Sequence, residues 1–279
     1  MPLPAHWVNG RAGATLSPTD RGLRYGDGVF ETFRLRDGRP LLWRYHEDRL
    51  QAGLDALGIA LAPGRVAESI ALAKAHLDRH GIADAAGRLQ VTRGEGERGY
   101  RSGDSTPNVL MSLHPAITLR ADRGPVDAML CKTSLACQPR LAGIKHCNRL
   151  EQVLAAQELE QCGVEEGIQL SSDGHLVCAV SSNLFLVRDG EVLTPELSRC
   201  GIAGTVRRLL LEELLPARGV QARETLLLPE DLDTADELFF SNALQGIRSV
   251  AAVGDRRFTC TEWGDTLQRD FLQWCESGA

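Results

Sequence analysis

Lys145 sits in the run Leu141-Ala142-Gly143-Ile144-Lys145-His146-Cys147-Asn148-Arg149-Leu150-Glu151-Gln152, and its surroundings suit covalent chemistry. The four residues before it carry no charge. After it, Asn148 reads as a helix cap, with Leu150, Val153 and Leu154 at i, i+3 and i+4 of the helix it opens. A lysine just ahead of a helix with a buried face is held rigidly and partly shielded from water. Shielding favours the neutral amine, which can attack a carbonyl. The same residues also suit a surface lysine near a helix start, so the rest of the chain has to supply what a carbonyl-bound lysine needs.

Three other stretches carry chemistry. Gly94-Glu95-Gly96-Glu97-Arg98-Gly99 spells G-x-G-x-x-G, but Tyr100 to Pro107 reads as loop, not as the helix a dinucleotide site requires. A glycine-rich loop holding Arg93, Arg98 and Arg101 suits carboxylate recognition, and it also suits a solvated surface loop. Gly201-Ile202-Ala203-Gly204-Thr205 opens a helix; its glycines let backbone N–H groups approach an anion, which makes it a candidate phosphate seat. Ser241-Asn242 at a strand end adds donors, and Arg49 on an early helix is a candidate ion partner. His76 and His80 stand at i, i+4, but Leu77 occupies the place of the glutamate found in zinc hydrolases, so they read as ordinary helix histidines. Neither G-x-S-x-G nor a P-loop occurs.

The elements that must position these residues follow from pattern. Residues 29–35 alternate and turn at Asp37-Gly38 into residues 40–43, a hairpin. Leu50, Leu54 and Leu57 mark a helix ending near Gly58; Val66, Ile70, Ala73 and Leu77 mark another over 63–80. Residues 88–93 and 108–113 read as strands around the loop 94–107. Residues 1–114 form an N-terminal domain, 115–124 a linker bracketed by prolines, and 125–279 a second domain. In the second, 126–130 is a strand and the helix after Lys145 runs to about Cys162. Hairpins cover 166–177 and 183–193, and a helix from Thr205 puts Val206, Leu209, Leu210 and Leu214 inward and stops at Pro216. Strands at 220–228, 237–241 and 247–253 and a helix over 261–275 complete it. Hairpins mixed with helices predict an α+β fold with a barrel-like sheet.

Composition bounds the function. The 279 residues carry a net charge of -6, with no basic stripe, which argues against nucleic acid or an anionic membrane as partner. Signal-peptide and membrane-spanning patterns are not found. Eight scattered cysteines without a C-x-x-C pair read as reduced thiols of a cytoplasmic protein, not a metal site.

Taken together, these pieces resemble the fold-type IV family of pyridoxal-phosphate enzymes, which spans aminotransferases and lyases. The resemblance covers nearly the whole chain. It rests on Asp20-Arg21-Gly22, Tyr25 to Glu31, His46-Glu47-Asp48-Arg49-Leu50, Ile144-Lys145, Ser182-Asn183-Leu184-Phe185 with Leu193-Thr194-Pro195, and Gly201-Ile202. Arg93 to Tyr100 and Leu141 to Leu154 resemble the lyase branch most closely. The resemblance implies a smaller N-terminal sandwich-like domain, a C-terminal cofactor-binding domain, and an active site between them near a homodimer interface. It implies pyridoxal 5'-phosphate as cofactor, Lys145 as its anchor and the catalytic base, and Arg49, the backbone at Ile202 and Ala203, and Ser241 and Asn242 around its phosphate. The implied small-molecule substrate is 4-amino-4-deoxychorismate, cleaved to 4-aminobenzoate, a folate precursor, and pyruvate. Its two carboxylates would meet Arg98, Arg93 or Arg149, with Tyr100 as a hydroxyl donor and Phe30 lining the site. Arg149 also suits a structural role.

One position departs from the family. A glutamate usually stands five residues before the asparagine matching Asn183 and keeps the cofactor's pyridine nitrogen protonated; here that residue is Cys178. A thiol is a weak hydrogen-bonding partner and a poor substitute for a carboxylate. Transamination should suffer most and an elimination driven by aromatisation least, so Cys178 leans toward the lyase. Glu165 or Glu166, close in sequence, could take over the missing carboxylate. An aminotransferase of small amino acids and a cofactor-binding protein without activity are the competing expectations.

Overall fold

The computed structural model describes residues 3–116, 119 and 124–277. The chain divides into two compact units: Met1–Ile117 with Ile144–Asn148, and Thr118–Gly143 with Arg149–Ala279. The fold is α+β.

In the first unit the chain runs β1 (Ala5–Val8), β2 (Arg11–Ala12), α1 (Arg21–Tyr25), β3 (Gly28–Arg36), β4 (Arg39–Pro40), α2 (Trp43–Leu57), α3 (Arg65–His80), β5 (Asp84–Thr92) and β6 (Asn108–Pro115). The strands form a six-stranded antiparallel sheet in the order β2-β1-β6-β5-β3-β4. Alternation sorts β3 onto two faces. Val29, Phe33 and Leu35 join Leu50 and Leu54 of α2, Ala73 and Leu77 of α3, and Leu89 and Val91 of β5 in one core. Each such large side chain contributes about 1.5–3 kcal/mol by leaving water. Glu31 shares that helix-covered face; Phe30 takes the other. Glycines in left-handed geometry end both long helices, Gly58 after α2 and Gly81 after α3.

Residues 144–148 join this sheet at the free end of β3. Phe30 N–H donates to the Lys145 carbonyl at 2.9 Å and Cys147 N–H to the Gly28 carbonyl at 2.9 Å. β4 pairs only with Leu35 and Arg36, which leaves the Gly28–Phe30 edge to be paired this way. The expected division, with a continuous second domain from residue 125, differs here: five residues from its middle complete the first unit. Residues 117, 118 and 120–123 of the expected linker lie outside the described residues.

The second unit runs β7 (Val126–Leu130), α4 (Leu150–Cys162), β8 (Glu166–Leu170), β9 (Leu176–Ala179), β10 (Asn183–Arg188), β11 (Glu191–Pro195), α5 (Thr205–Leu209), β12 (Arg223–Thr225), β13 (Glu237–Asn242), β14 (Gly246–Val253), β15 (Arg256–Arg257) and α6 (Glu262–Ser277). Eight strands form the path β12-β11-β10-β13-β14-β7-β8-β9, and β15 pairs with β14. The sheet curls: Leu176 N–H at the β9 end donates to the Leu227 carbonyl, just beyond β12, at 2.8 Å. Its interior is filled by Val126, Ile168, Leu184, Leu186, Leu193, Leu238, Phe240 and Val250. α5 continues through a π turn, Leu210–Leu214, and its expected inward residues Val206, Leu209, Leu210 and Leu214 are all buried.

The helix after the lysine has a different polarity from the one expected. Leu150, Val153 and Leu154 are 76%, 49% and 52% exposed; Ala155 and Leu159 are the buried ones and pack on Cys131. Periodicity finds an apolar stripe but not what covers it. Asn148 does not cap α4 either. Its Nδ2 donates to the Gly26 carbonyl at 3.2 Å, and Arg149 takes the N-cap position without a side-chain bond.

Candidate active site

In the first unit the backbone pairing of Lys145 with Phe30 sets its side chain on the face of the sheet away from the helices. Lys145 Nζ lies 4.6 Å from the centre of the Phe30 ring. The Arg88 guanidinium lies 3.8 Å from the same ring centre. Arg88 is on β5 opposite Thr32, one pairing step from Phe30. Its hydrogen-bond partner is the neutral Gln90 Oε1 at 3.2 Å. Burial lowers the Arg88 pKa, the effect of holding a cation out of water with an aromatic ring and an amide for company. Phe30 itself is buried. Lysine amine, aromatic wall and desolvated guanidinium therefore converge on one patch. The patch can take a carbonyl carbon at the amine and a carboxylate at the guanidinium.

Arg88 has no part in the sequence-based site. A single arginine within an alternating strand reads as a solvated position, and only the β3–β5 register brings it to Phe30.

On the opposite face of β3, Glu31 is buried and receives Arg49 Nε at 2.9 Å and His46 Nδ1 at 2.6 Å. Arg49 Nη2 completes a bidentate pair with the same carboxylate. Burial pushes the Glu31 carboxyl up, but Arg49 and then His46 outweigh it and hold it at about 2. Burial pulls the fully enclosed His46 below its usual value against the pull of Glu31, with Lys145 adding a small repulsion. Glu31 thus fixes the Arg49 guanidinium in direction.

The arginine loop divides by role. Buried Arg21 donates to the carbonyls of Gly99, Tyr100 and Arg101, which pins loop 94–107 to α1. Arg93 pairs bidentately with Asp27 and donates to the Leu57 and Gly58 carbonyls, so it is a structural tie and not a free substrate ligand as expected. Burial would raise the Asp27 carboxyl, but Arg93 and Arg21 hold it below the usual range. Arg98 is exposed, and Tyr100 is 89% exposed with its ring against Tyr25. Arg149 is half-buried at the start of α4, in the second unit. Trp7 packs edge-on against His76, whose ring also meets His80, which gives that histidine pair a packing role.

In the second unit, Asn183 Nδ2 donates to the Ile202 carbonyl at 2.8 Å. A Cβ on Gly204 would stand 1.9 Å from Asn183 Oδ1, so only glycine allows this approach. The Ala203 N–H, an expected phosphate donor, donates to the Gly143 carbonyl at 3.0 Å. The first helical bond of α5 is Arg208 N–H to the Gly204 carbonyl at 2.9 Å. Ser241 faces Asn183 across β10 and β13, and its buried Oγ has no hydrogen-bond partner. Asn242 Oδ1 accepts from Leu244 and Gln245 N–H, and Nδ2 donates to Ser182 Oγ at 3.0 Å, so this side chain builds the turn. A glycine cradle and an orphaned buried hydroxyl fit a phosphate monoester.

Cys178 is half-buried on β9 opposite Gln169. Glu166 does not replace it: Gln169 and Cys178 share one face of the sheet, while Glu166, in step with Ile168, points to the other. Glu166 instead accepts from Ser181 Oγ at 2.7 Å, and burial raises its pKa. Glu165 is paired with Arg248. The expected substitution by either carboxylate is corrected on these grounds.

Residues 28–253 match the family model of class IV amino-transferases. The chain belongs to that family, whose cofactor is pyridoxal 5'-phosphate. It is 35% identical to an aminodeoxychorismate lyase of Vibrio harveyi, over 88% of this chain and 90% of the relative. It is 31% identical to a putative branched-chain-amino-acid aminotransferase of Methanocaldococcus jannaschii, over 92% and 88%. The crystal structure of a 4-amino-4-deoxychorismate lyase from Pseudomonas aeruginosa superposes with a TM-score of 0.88 at 40% identity, over 96% of this chain and 98% of that one.

Proposed function

We propose that the protein is a pyridoxal-phosphate-dependent lyase that converts 4-amino-4-deoxychorismate to 4-aminobenzoate and pyruvate, a step toward folate. The observation that carries this reading is the full-length likeness to the Pseudomonas aeruginosa lyase at 40% identity. The Lys145–Phe30–Arg88 patch agrees with it, because the substrate presents an amine-bearing ring carbon and two carboxylates. When bound, the cofactor supplies an electron sink for bond breaking next to the substrate amine. Ser241 and the backbone around Gly204 would hold its phosphate, and Arg49, fixed by Glu31, is a further proposed phosphate ligand. Lys145 Nζ takes the proton from the amine-bearing carbon and returns one to the departing enolpyruvyl oxygen. Arg88 receives a substrate carboxylate, and the ring of Phe30 excludes water from the amine. Arg98 and Tyr100, exposed on a loop that Arg21 pins, are further carboxylate ligands.

We also propose a homodimer, because the apolar stripe Leu150, Val153 and Leu154 of α4 is exposed in the single chain. All eight cysteines are free thiols, which supports a reducing, cytoplasmic compartment.

The second reading is an aminotransferase, favoured by the 31% identity to the archaeal relative. One assay separates the two. Aminodeoxychorismate supplied without an amino acceptor should yield pyruvate and 4-aminobenzoate, and Lys145→Ala should yield neither. Undiminished product from that variant would sink the mechanism. Amino-group transfer from a small amino acid to a keto acid, without pyruvate release, would establish the aminotransferase instead.

A further inference from the structure

Three thiols gather in the second unit, and the proposed reaction gives no step to two of them, Cys137 and Cys200. Cys137 and Cys178 pack against the buried group Leu135, Val177 and Cys200. The backbone draws two of them together: Gln138 N–H donates to the Arg199 carbonyl at 2.8 Å, beside Cys137 on one segment and Cys200 on the other. Arg199 forms an ion pair with Asp173, and the Cys137 thiol donates to Asp173 Oδ1 at 3.3 Å. The Cys137 side chain packs on Cys200 within that group. Cys178 shares the packing but not the backbone tie.

We propose that Cys137 and Cys200 are an oxidation site that closes to a disulfide. Cys137 is half-buried and meets the oxidant first; Cys200 is 8% exposed and serves only as the resolving thiol. With a peroxide as oxidant, the Cys137 sulfur attacks one oxygen, the O–O bond breaks, and water leaves to give the sulfenic acid. The Cys200 sulfur then attacks the Cys137 sulfur. The S–O bond breaks, the S–S bond forms, and the Cys200 proton departs with the hydroxide as a second water. Two thiols lose two electrons between them, and one hydrogen peroxide becomes two waters. Burial, then the neighbouring Cys137, pushes the Cys200 thiol up to about 12, so Cys200 is not the thiol that reacts with peroxide first.

The bond would fall where it matters for the site. A few residues further along both segments, Gly143 N–H donates to the Gly201 carbonyl and Ala203 N–H to the Gly143 carbonyl, each at 3.0 Å. The disulfide would therefore staple the segment leading to Lys145 to the turn that opens the phosphate cradle. The consequence for cofactor rests on the proposed function; the disulfide does not.

Holoprotein treated with hydrogen peroxide should lose about 2 Da of intact mass against the untreated protein, reversibly by reductant, and on denaturing alkylation should carry two fewer labels. Peptide mapping should join the Cys137 and Cys200 peptides. Cys137→Ser and Cys200→Ala should each abolish the loss, and Cys200→Ala should accumulate a dimedone-reactive sulfenic acid at Cys137. A Cys137–Cys178 link, over-oxidation of Cys137 without any link, or an unreactive Cys137 would overturn the proposal. In the oxidised protein, exchange of bound for free pyridoxal phosphate should slow at least about threefold; unchanged exchange would overturn the stapling. A protein that takes up no cofactor would defeat the functional reading, while the mass result would still decide the disulfide.

Discussion

Phe30 meets two cations, and that gathers positive charge where the proposed anionic substrate would dock. Removing the arginine should therefore act mainly on substrate capture. Arg88→Ala is expected to lower kcat/KM by about 10²–10³, largely through KM, and Arg88→Lys to recover only part, since lysine lacks the planar fork that grips a carboxylate. Equal kcat/KM in Arg88→Ala and wild type would remove this residue from the site. Cys178 is tested in the opposite sense, by supplying the missing acid. If the thiol is adapted to elimination, Cys178→Glu should lose lyase turnover while still binding cofactor, which spectral titration of the cofactor alongside pyruvate release would show. At this scale Lys145 was legible because an uncharged approach and a following helix are written within a dozen residues. Arg88 was not, because its meaning comes from strand register between residues nearly sixty positions apart.

Among elements, the β3–α2 contact carries a pH signature. Glu31 is held at about 2 against an ordinary 4.5, and its stabilisation is present above the unfolded value and lost as pH falls through the folded one. His46, lowered by burial, works with the same sign: the folded state resists its protonation, so stability begins to fall below its ordinary value of 6.5. Stability should decline from about pH 6.5 and more steeply between 4.5 and 2, by about 3 kcal/mol for the Glu31 shift. Urea midpoints across that range check this; Glu31→Gln should be less stable at pH 7 and lack the steep acid limb. α4 makes a different prediction. Leu150→Asp with Leu154→Asp should leave the monomer folded, since both side chains are exposed, and should shift sedimentation from dimer to monomer. The extent of α4 was readable from its apolar period. Its buried face was not, since burial depends on which side the sheet approaches, and here Ala155 and Leu159 face it.

For the whole molecule, binding couples cofactor to stability. At a hundredfold excess over its dissociation constant, pyridoxal phosphate should stabilise the fold by about 2.7 kcal/mol, a rise in Tm of roughly 5–10 °C. Lys145→Ala should show a smaller rise, and Ser241→Ala a smaller one still if its orphaned hydroxyl serves the phosphate. Differential scanning calorimetry with and without cofactor decides this, and equal shifts in all three proteins would disconnect both residues from binding. The α+β class and the curled second sheet were legible because hairpin turns such as Asp37-Gly38 and Asp173-Gly174 announce themselves locally. The path of the chain between units was not. Nothing in the composition of residues 144–148 says that they pair with a strand more than a hundred residues earlier.

That pairing also sets a timetable. As the chain leaves the ribosome, the six strands of the first sheet are all present by residue 115, yet the Gly28–Phe30 edge stays bare until residue 148 emerges. For the seconds of synthesis in between, the growing chain presents an unpaired strand edge bearing a buried aromatic, the kind of surface on which nascent chains stick to one another. Lys145, the proposed base, is thus carried on the rung that closes this gap. A ribosome stalled between those two points should hold a first unit more open to protease at Gly28–Phe30 than one stalled well beyond them.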